Sequence, residues 1–119
     1  MLQLTNSWGD YDVGLLPHAW FENSPLVLLE HLHAGKFVVC SRLGGPVEWV
    51  RDGVNGLLVP GGQAGALAAA IGRLVQGEVT IPSPAEIHEA TPLLCSWPDH
   101  VRAVDEVYRE VLDRVTAGR

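Results

Sequence analysis

The chain has 119 residues, 47% of them hydrophobic and 18% charged, with a formal net charge of -6, which sets it among ordinary globular chains and limits it to one core. Its eight Lys and Arg are scattered singly against fourteen Asp and Glu, so it lacks the basic patch that nucleic acid or an anionic membrane would require. Cys40 and Cys95 have neither zinc nor C-x-x-C spacing, and there is no charged-then-apolar leader or 18-residue apolar run, which predicts a reduced cytoplasmic setting.

Residues 12–17 (DVGLLP) form a short apolar run closed by proline, the pattern of a strand covered on both faces. In residues 22–30 (ENSPLVLLE), Ser24 and Pro25 read as N-cap and first residue of a helix. That helix is expected to run to Ala34 and stop at Gly35, a residue suited to a left-handed cap. Residues 37–40 (FVVC) read as a second buried strand, and a short helix follows from Pro46, ending before Gly53. Residues 57–59 read as a third strand. Residues 64–76 place Leu67, Ile71, Leu74 and Val75 on one helical face. Residues 77–92 show no sustained period and contain Pro82 and Pro84, which reads as a loop or linker. Over residues 96–115, Val101, Val104, Val107, Tyr108, Val111, Leu112 and Val115 make one helical stripe behind Ser96.

Alternating strands and helices predict an α/β fold: a parallel, Rossmann-like sheet of about three strands flanked by helices and joined by right-handed crossovers. A doubly wound dinucleotide-type sheet has about six strands. Residues 1–119 therefore read as one partial domain whose first strand has an open edge, available for a neighbouring lobe or for self-association.

The pair Glu22 and Glu30 cannot be argued from spacing, because eight glutamates in this chain give on the order of one such pair by chance. Glu78 and Glu86 in fact repeat the separation inside EVTIPSPAE, where the two prolines are expected to exclude a helix and no site can be argued. What distinguishes the first pair is placement. Glu22 precedes the helix and Glu30 lies about 7–8 Å along it, with the amides near Leu26 and Val27 and the positive end of the helix dipole between them. Such a start suits a diphosphate, and each carboxylate can accept hydrogen bonds from the hydroxyls of an attached sugar or ribose. The alternative reading makes Glu22 an exposed loop acid and Glu30 a solvated helix residue.

The residues P-H-A-W-F-E-N-S-P-L-V-L-L-E-H-L-H-A-G-K-F-V-V, followed by G-G-P-V-E-W-V-R-D-G-V-N-G-L-L-V-P, resemble the C-terminal, donor-binding lobe of the family 4 retaining glycosyltransferases (glycosyltransferase group 1, GT-B fold). The match is continuous over residues 12–60, and the L-x-x-A-I and SWPDHVRAVDEVYREV segments are similar to the family's closing helices. The resemblance implies a hexosyltransferase-type enzyme that takes a nucleotide-diphosphate-sugar donor, retains anomeric configuration, and needs no cofactor and no metal. It implies catalytic roles for Glu22, at the donor-sugar hydroxyls, and for Glu30, at the ribose. It also implies donor contacts from Asn23, Ser24, Pro25, Leu26 and Val27 and from the tight Gly44–Gly45 loop. Glu48 is either a donor-site residue or an early-helix acid.

His31 stands where the family usually has alanine and Phe37 where proline is common, which points to local repacking. The residues that match the family's N-terminal lobe and its basic diphosphate clamp are not in this sequence, and neither Lys36 nor Arg42 corresponds to that clamp. The resemblance therefore implies a partner lobe on the same or another chain, an unidentified acceptor, and little activity in isolation. The full enzyme would be cytoplasmic or at the inner face of a membrane. A second function class is a non-catalytic nucleotide-binding or interaction module that lends its fold to a partner.

His18 is either directed into the donor cleft or an ordinary loop histidine, and Trp20 is near enough to Glu22 to line a sugar site. His31 and His33 lie on different helical faces with no third ligand at metal spacing. Cys40 reads as a small core residue.

Overall fold

The computed structural model describes residues 9–118. Among these, β1 (Val13–Leu16), β2 (Phe37–Ser41) and β3 (Gly56–Val59) form one parallel sheet in the order β1-β2-β3. Val13 pairs with Phe37, and Val38 with Gly56. All five residues of the central strand are buried, which is why its sequence is continuously apolar from Phe37 to Cys40 rather than alternating. β1 is an outer strand, as the open-edge reading expects, but it is not covered on both faces as its apolar run predicted, since Leu15 is 49% exposed.

The helices are α1 (Leu26–His33), α2 (Pro46–Trp49), α3 (Ala64–Val75), α4 (Pro84–Ala90) and α5 (Trp97–Ala117). Leu28 and Leu32 of α1, Phe37 and Val39 of β2, Ala70 of α3 and Ile87 of α4 join in one core. The core supplies most of the fold's drive, each buried aliphatic or aromatic side chain contributing about 1.5–3 kcal/mol. Phe37, where proline is common in the resembling family, is fully buried here. Cys40 is buried beside it, and burial, helped by the charge of Asp52, pushes its thiol up to about 12.

α1 ends as its sequence predicts. Gly35 takes φ +70, its N–H donates to the Leu32 carbonyl at 3.0 Å and the Lys36 N–H to the His31 carbonyl at 2.9 Å, the paired bonds of a Schellman cap. The same glycine admits α4, since a Cβ there would stand 2.6 Å from the Pro84 side chain.

Three expectations are corrected. The stretch 77–92 is not a plain linker, because it contains α4, whose Ile87 is 1% exposed. Pro84 opens that helix, where its missing N–H costs nothing. Ser83 caps it, and the Glu86 side chain returns to the Ser83 N–H at 2.8 Å in a capping box. Second, Val75 is 81% exposed, and the packed face of α3 runs through Leu67, Ala70 and Leu74. Third, Ser24 is not the cap of α1. That position is Pro25, extended at ψ 119 and without a side-chain cap bond.

Asn55, fully buried, ties α2 to α4. Its Oδ1 accepts from the Arg51 N–H at 2.7 Å, and its Nδ2 donates to the Trp49 carbonyl at 3.1 Å and the Thr91 hydroxyl at 3.4 Å. Thr91 in turn donates to the Ile87 carbonyl at 2.7 Å. Lys36 is occupied away from any cleft, donating to the Tyr11 carbonyl at 2.7 Å.

Candidate functional site

The carboxyl ends of β1 and β2 open into two loops, residues 17–25 and 42–45, that lock onto each other. Glu22 pairs with Gly44 as an isolated parallel bridge, and the Gly45 N–H donates to the Glu22 carbonyl at 2.7 Å. The approach is too close for any side chain. A Cβ would stand 2.2 Å from the Glu22 carbonyl oxygen at Gly44, where φ is +73, and 1.3 Å from the Asn23 carbonyl oxygen at Gly45. The two glycines are thus required by main-chain packing against the very residues that precede α1. This pairing also explains why Ser24 does not cap the helix: the chain ahead of α1 is directed by the glycine loop, and Pro25 makes the turn into the helix one residue later.

His18 reinforces the junction. It is 8% exposed, with Nδ1 3.1 Å from the Leu16 carbonyl and Nε2 3.1 Å from the Leu43 carbonyl. The ring therefore spans the end of β1 and the start of the glycine loop, donating at the nitrogen that carries hydrogen. His18 thus both bridges the two loops and contributes to the wall of the neighbouring cavity.

Beside this junction lies a cavity of about 440 Å³ whose wall includes Leu16, His18, Trp20, Glu22, Pro25 and Val27. The Trp20 indole N–H donates to Glu22 Oε2 at 2.6 Å, so an exposed aromatic ring orients the carboxylate. A second cavity of about 320 Å³ shares Pro17 and runs past Ser41 and Val59 to the start of α3. Both lie at the carboxyl ends of the strands, where ligands bind in open α/β sheets. The lining of the first is mainly apolar with a few polar groups, the composition of a small-molecule site.

At the start of α1, the Leu28 and Leu29 N–H groups are satisfied by the Pro25 carbonyl at 3.0 and 3.3 Å. Those of Leu26 and Val27 have no acceptor within the helix, and no side chain caps it. Glu22, Pro25 and Val27 thus share the cavity wall. Asn23, Ser24 and Leu26 are exposed next to it, and Gly44 and Gly45 form its support. Glu30 is exposed on α1 and is not among the residues of either cavity wall. Glu48 is an exposed acid in the first turn of α2.

His31 turns back over β1, its Nδ1 2.6 Å from the Val27 carbonyl and its Nε2 3.1 Å from the Tyr11 hydroxyl. A Cβ on Gly14 would meet its ring at 2.4 Å, so a histidine in place of a small residue is matched by a glycine in the strand below. Arg42 pairs with Asp52 at 2.9 Å, while Asp52 Oδ1 accepts from the Leu58 N–H at 2.9 Å. Asn55 and Asp52, which sequence reasoning assigned no role, are the hold points of the loop between α2 and β3. The signal was the D-G-x-N-G run itself, whose polar residues can bond their own main chain.

A parallel three-stranded sheet with flanking helices and a cleft at the strands' carboxyl ends is the architecture of a GT-B glycosyltransferase lobe. Sucrose-phosphate synthase from Thermosynechococcus elongatus shares it, with a TM-score of 0.74 and 27% identity over 93% of this chain and 28% of that one. Residues 3–77, more than half of the sequence, match the family model for glycosyl transferases group 1, and the chain belongs to that family. Similar curated proteins include a D-inositol 3-phosphate glycosyltransferase of Acidothermus cellulolyticus, 38% identical over 82% of this chain and 22% of that protein. An exopolysaccharide phosphotransferase of Streptomyces coelicolor is 34% identical over 93% of this chain and 12% of its own length. The chain thus spans about an eighth to a quarter of the curated relatives it matches.

Proposed function

We propose that this chain forms the donor-binding part of a retaining, family 4 type glycosyltransferase that takes its sugar from a nucleotide-diphosphate donor. The observation that carries the proposal is the Glu22–Gly44 bridge, which docks the glycine loop against the approach to α1 and leaves the Glu22 carboxylate on a cavity wall beside free helix amides. In this reading the diphosphate lies at the Leu26 and Val27 amides, where the helix dipole favours negative charge by about 0.3–2 kcal/mol. Glu22, held by Trp20, accepts hydrogen bonds from the sugar hydroxyls. Glu30, one turn further along α1, accepts from the ribose. No cofactor enters this scheme, and the acceptor site belongs to the portion of a full transferase that this chain does not span. In this reading transfer takes place in the cytoplasm or at the inner face of a membrane. No helix among the described residues is long and apolar enough to cross a membrane.

Titration calorimetry with a panel of nucleoside diphosphates and their sugar conjugates tests the assignment. Glu30→Ala should weaken both ligand types, whereas Glu22→Ala should weaken chiefly the sugar conjugate, each by about 1.5–3 kcal/mol for a lost charged hydrogen bond. Glu78→Ala and Glu86→Ala should leave both affinities alone. Unchanged binding by Glu30→Ala, or an equal effect of the other pair, would overturn the roles given to Glu22 and Glu30.

A further inference from the structure

Ser41 is the one polar residue of the buried central strand, and it is 1% exposed. Its hydroxyl makes no hydrogen bond to any described residue, although a hydroxyl withdrawn from water normally has a partner. No polar side-chain atom among the described residues is both fully enclosed and unpartnered, so the little exposure that Ser41 keeps lies at its hydroxyl. The opening it meets is the second cavity, of about 320 Å³, whose wall Ser41 shares with Pro17, Val59, Gln63, Ala64 and Leu67. Ser41 and Val59 are paired in register across β2 and β3, which brings the hydroxyl and an apolar side chain to the same floor.

The other side of this cavity is the start of α3. Gln63, its N-cap residue, makes no side-chain cap bond. The Ala66 and Leu67 N–H groups donate to the Gln63 carbonyl at 3.1 and 3.2 Å, whereas those of Ala64 and Gly65 have no acceptor within the helix. Two amides at the positive end of a twelve-residue helix and a buried hydroxyl without a partner therefore meet at one cavity. All three are donors.

We propose that this cavity is a ligand subsite of its own, which takes the carboxylate of a small molecule with an apolar body. None of the lining residues is charged, and Arg42, next in sequence to Ser41, is paired with Asp52. A single negative charge spread over two oxygens is matched by two amides, the helix dipole and one hydroxyl. A phosphate dianion would be left with charge that no cation in this wall balances. Pro17, Val59 and Leu67 supply apolar surface for the rest of the molecule, and the volume is at the lower end of small-molecule sites. The subsite is independent of the donor reading of Glu22 and Glu30.

A titration of the ¹⁵N-labelled chain with sodium isobutyrate, isobutyramide and inorganic phosphate, followed by amide chemical shifts, tests the assignment. Isobutyrate should move the Ala64 and Gly65 amides saturably in the millimolar range, and the neutral amide and phosphate should do so at least about tenfold more weakly. Ser41→Ala should weaken isobutyrate about tenfold through loss of one hydrogen bond to a charged group. It should not lower the melting temperature of the free protein, because the hydroxyl it removes has no partner. Ala64→Pro, at the first helical position where proline is favoured, should weaken isobutyrate similarly by deleting one amide donor. No saturable shift at Ala64 and Gly65, or shifts confined to Leu26 and Val27, would overturn the proposal. So would wild-type affinity in Ser41→Ala, a lowered melting temperature of that variant, or phosphate binding as tightly as isobutyrate.

Discussion

Residues 22–30 and residues 78–86 each carry two glutamates at the same separation, yet the fold treats them oppositely. In the first segment the main chain of Glu22 is bound to the glycine loop and its carboxylate is aimed by Trp20 along a cavity wall. The helix that follows has no side-chain cap. In the second, Glu78 is an exposed partner of Arg73 at 3.8 Å, and Glu86 is engaged by the Ser83 N–H and hydroxyl at 2.8 and 2.6 Å. One helix has no side-chain cap at its start, whereas the other fills its own start. The difference teaches that equal spacing does not give two acids equal surroundings: a strand end and a loop leave the Glu22 carboxylate on a cavity wall, whereas a capping box takes up both the Glu86 carboxylate and the amides beside it.

The comparison can be broken most severely at Gly45. Gly45→Ala places a methyl group against the Asn23 carbonyl, main chain on main chain, and should cost about 3 kcal/mol or more. Thermal unfolding should show the loss, and calorimetry should show donor binding abolished. Next in size are the two serines that precede the prolines. Ser83→Ala should cost about 0.5–2 kcal/mol by removing a real cap, while Ser24→Ala should leave stability unchanged, since Ser24 caps nothing. Equal effects in denaturant melts would erase the contrast drawn between the two helix starts.

The smallest effect is on pH dependence. The bonds from Ser83 lower the Glu86 carboxyl below its ordinary 4.5. A carboxyl that is more acidic in the fold contributes stability above its unfolded pKa and loses it as pH falls through the folded one. Glu86→Gln should therefore flatten the acid limb of the melting curve and leave the neutral limb nearly parallel to wild type. An unchanged acid limb would show that the capping box does not persist in solution.

The strands were legible because parallel strands buried on both faces have to be continuously apolar, as FVVC and GLLV are. α5 was legible because a long amphipathic stripe has a strong period and Ser96 marks its start. α4 was misread although its signature, Ser83-Pro-Ala-Glu86, was present: a proline counted as a breaker is, one position after a cap, an initiator. The cap of α1 could not be read locally, because contact with Gly45, more than twenty residues away, overrides the preference of Ser24. The same distance effect hid the tie from Asn55 to Thr91. Within the site, the glycine pair and Glu22 were legible through the family resemblance. The strut made by His18 and the bond from Trp20 to Glu22 depend on two loops meeting, and no spacing within either loop encodes that.

The burial of all five β2 residues and of none in α5 divides the molecule into two regimes of motion. Amides in β2 are reached by solvent only when the sheet as a whole opens, so their hydrogen exchange reports the global unfolding free energy. A helix without a buried side chain is held by its own hydrogen bonds, capping and ion pairs, and 21 residues in water are only marginally helical on those terms. Its amides should exchange by local fraying, orders of magnitude sooner, until something covers the stripe. The slowing of exchange along α5 is thus a direct gauge of how fully that face is occupied.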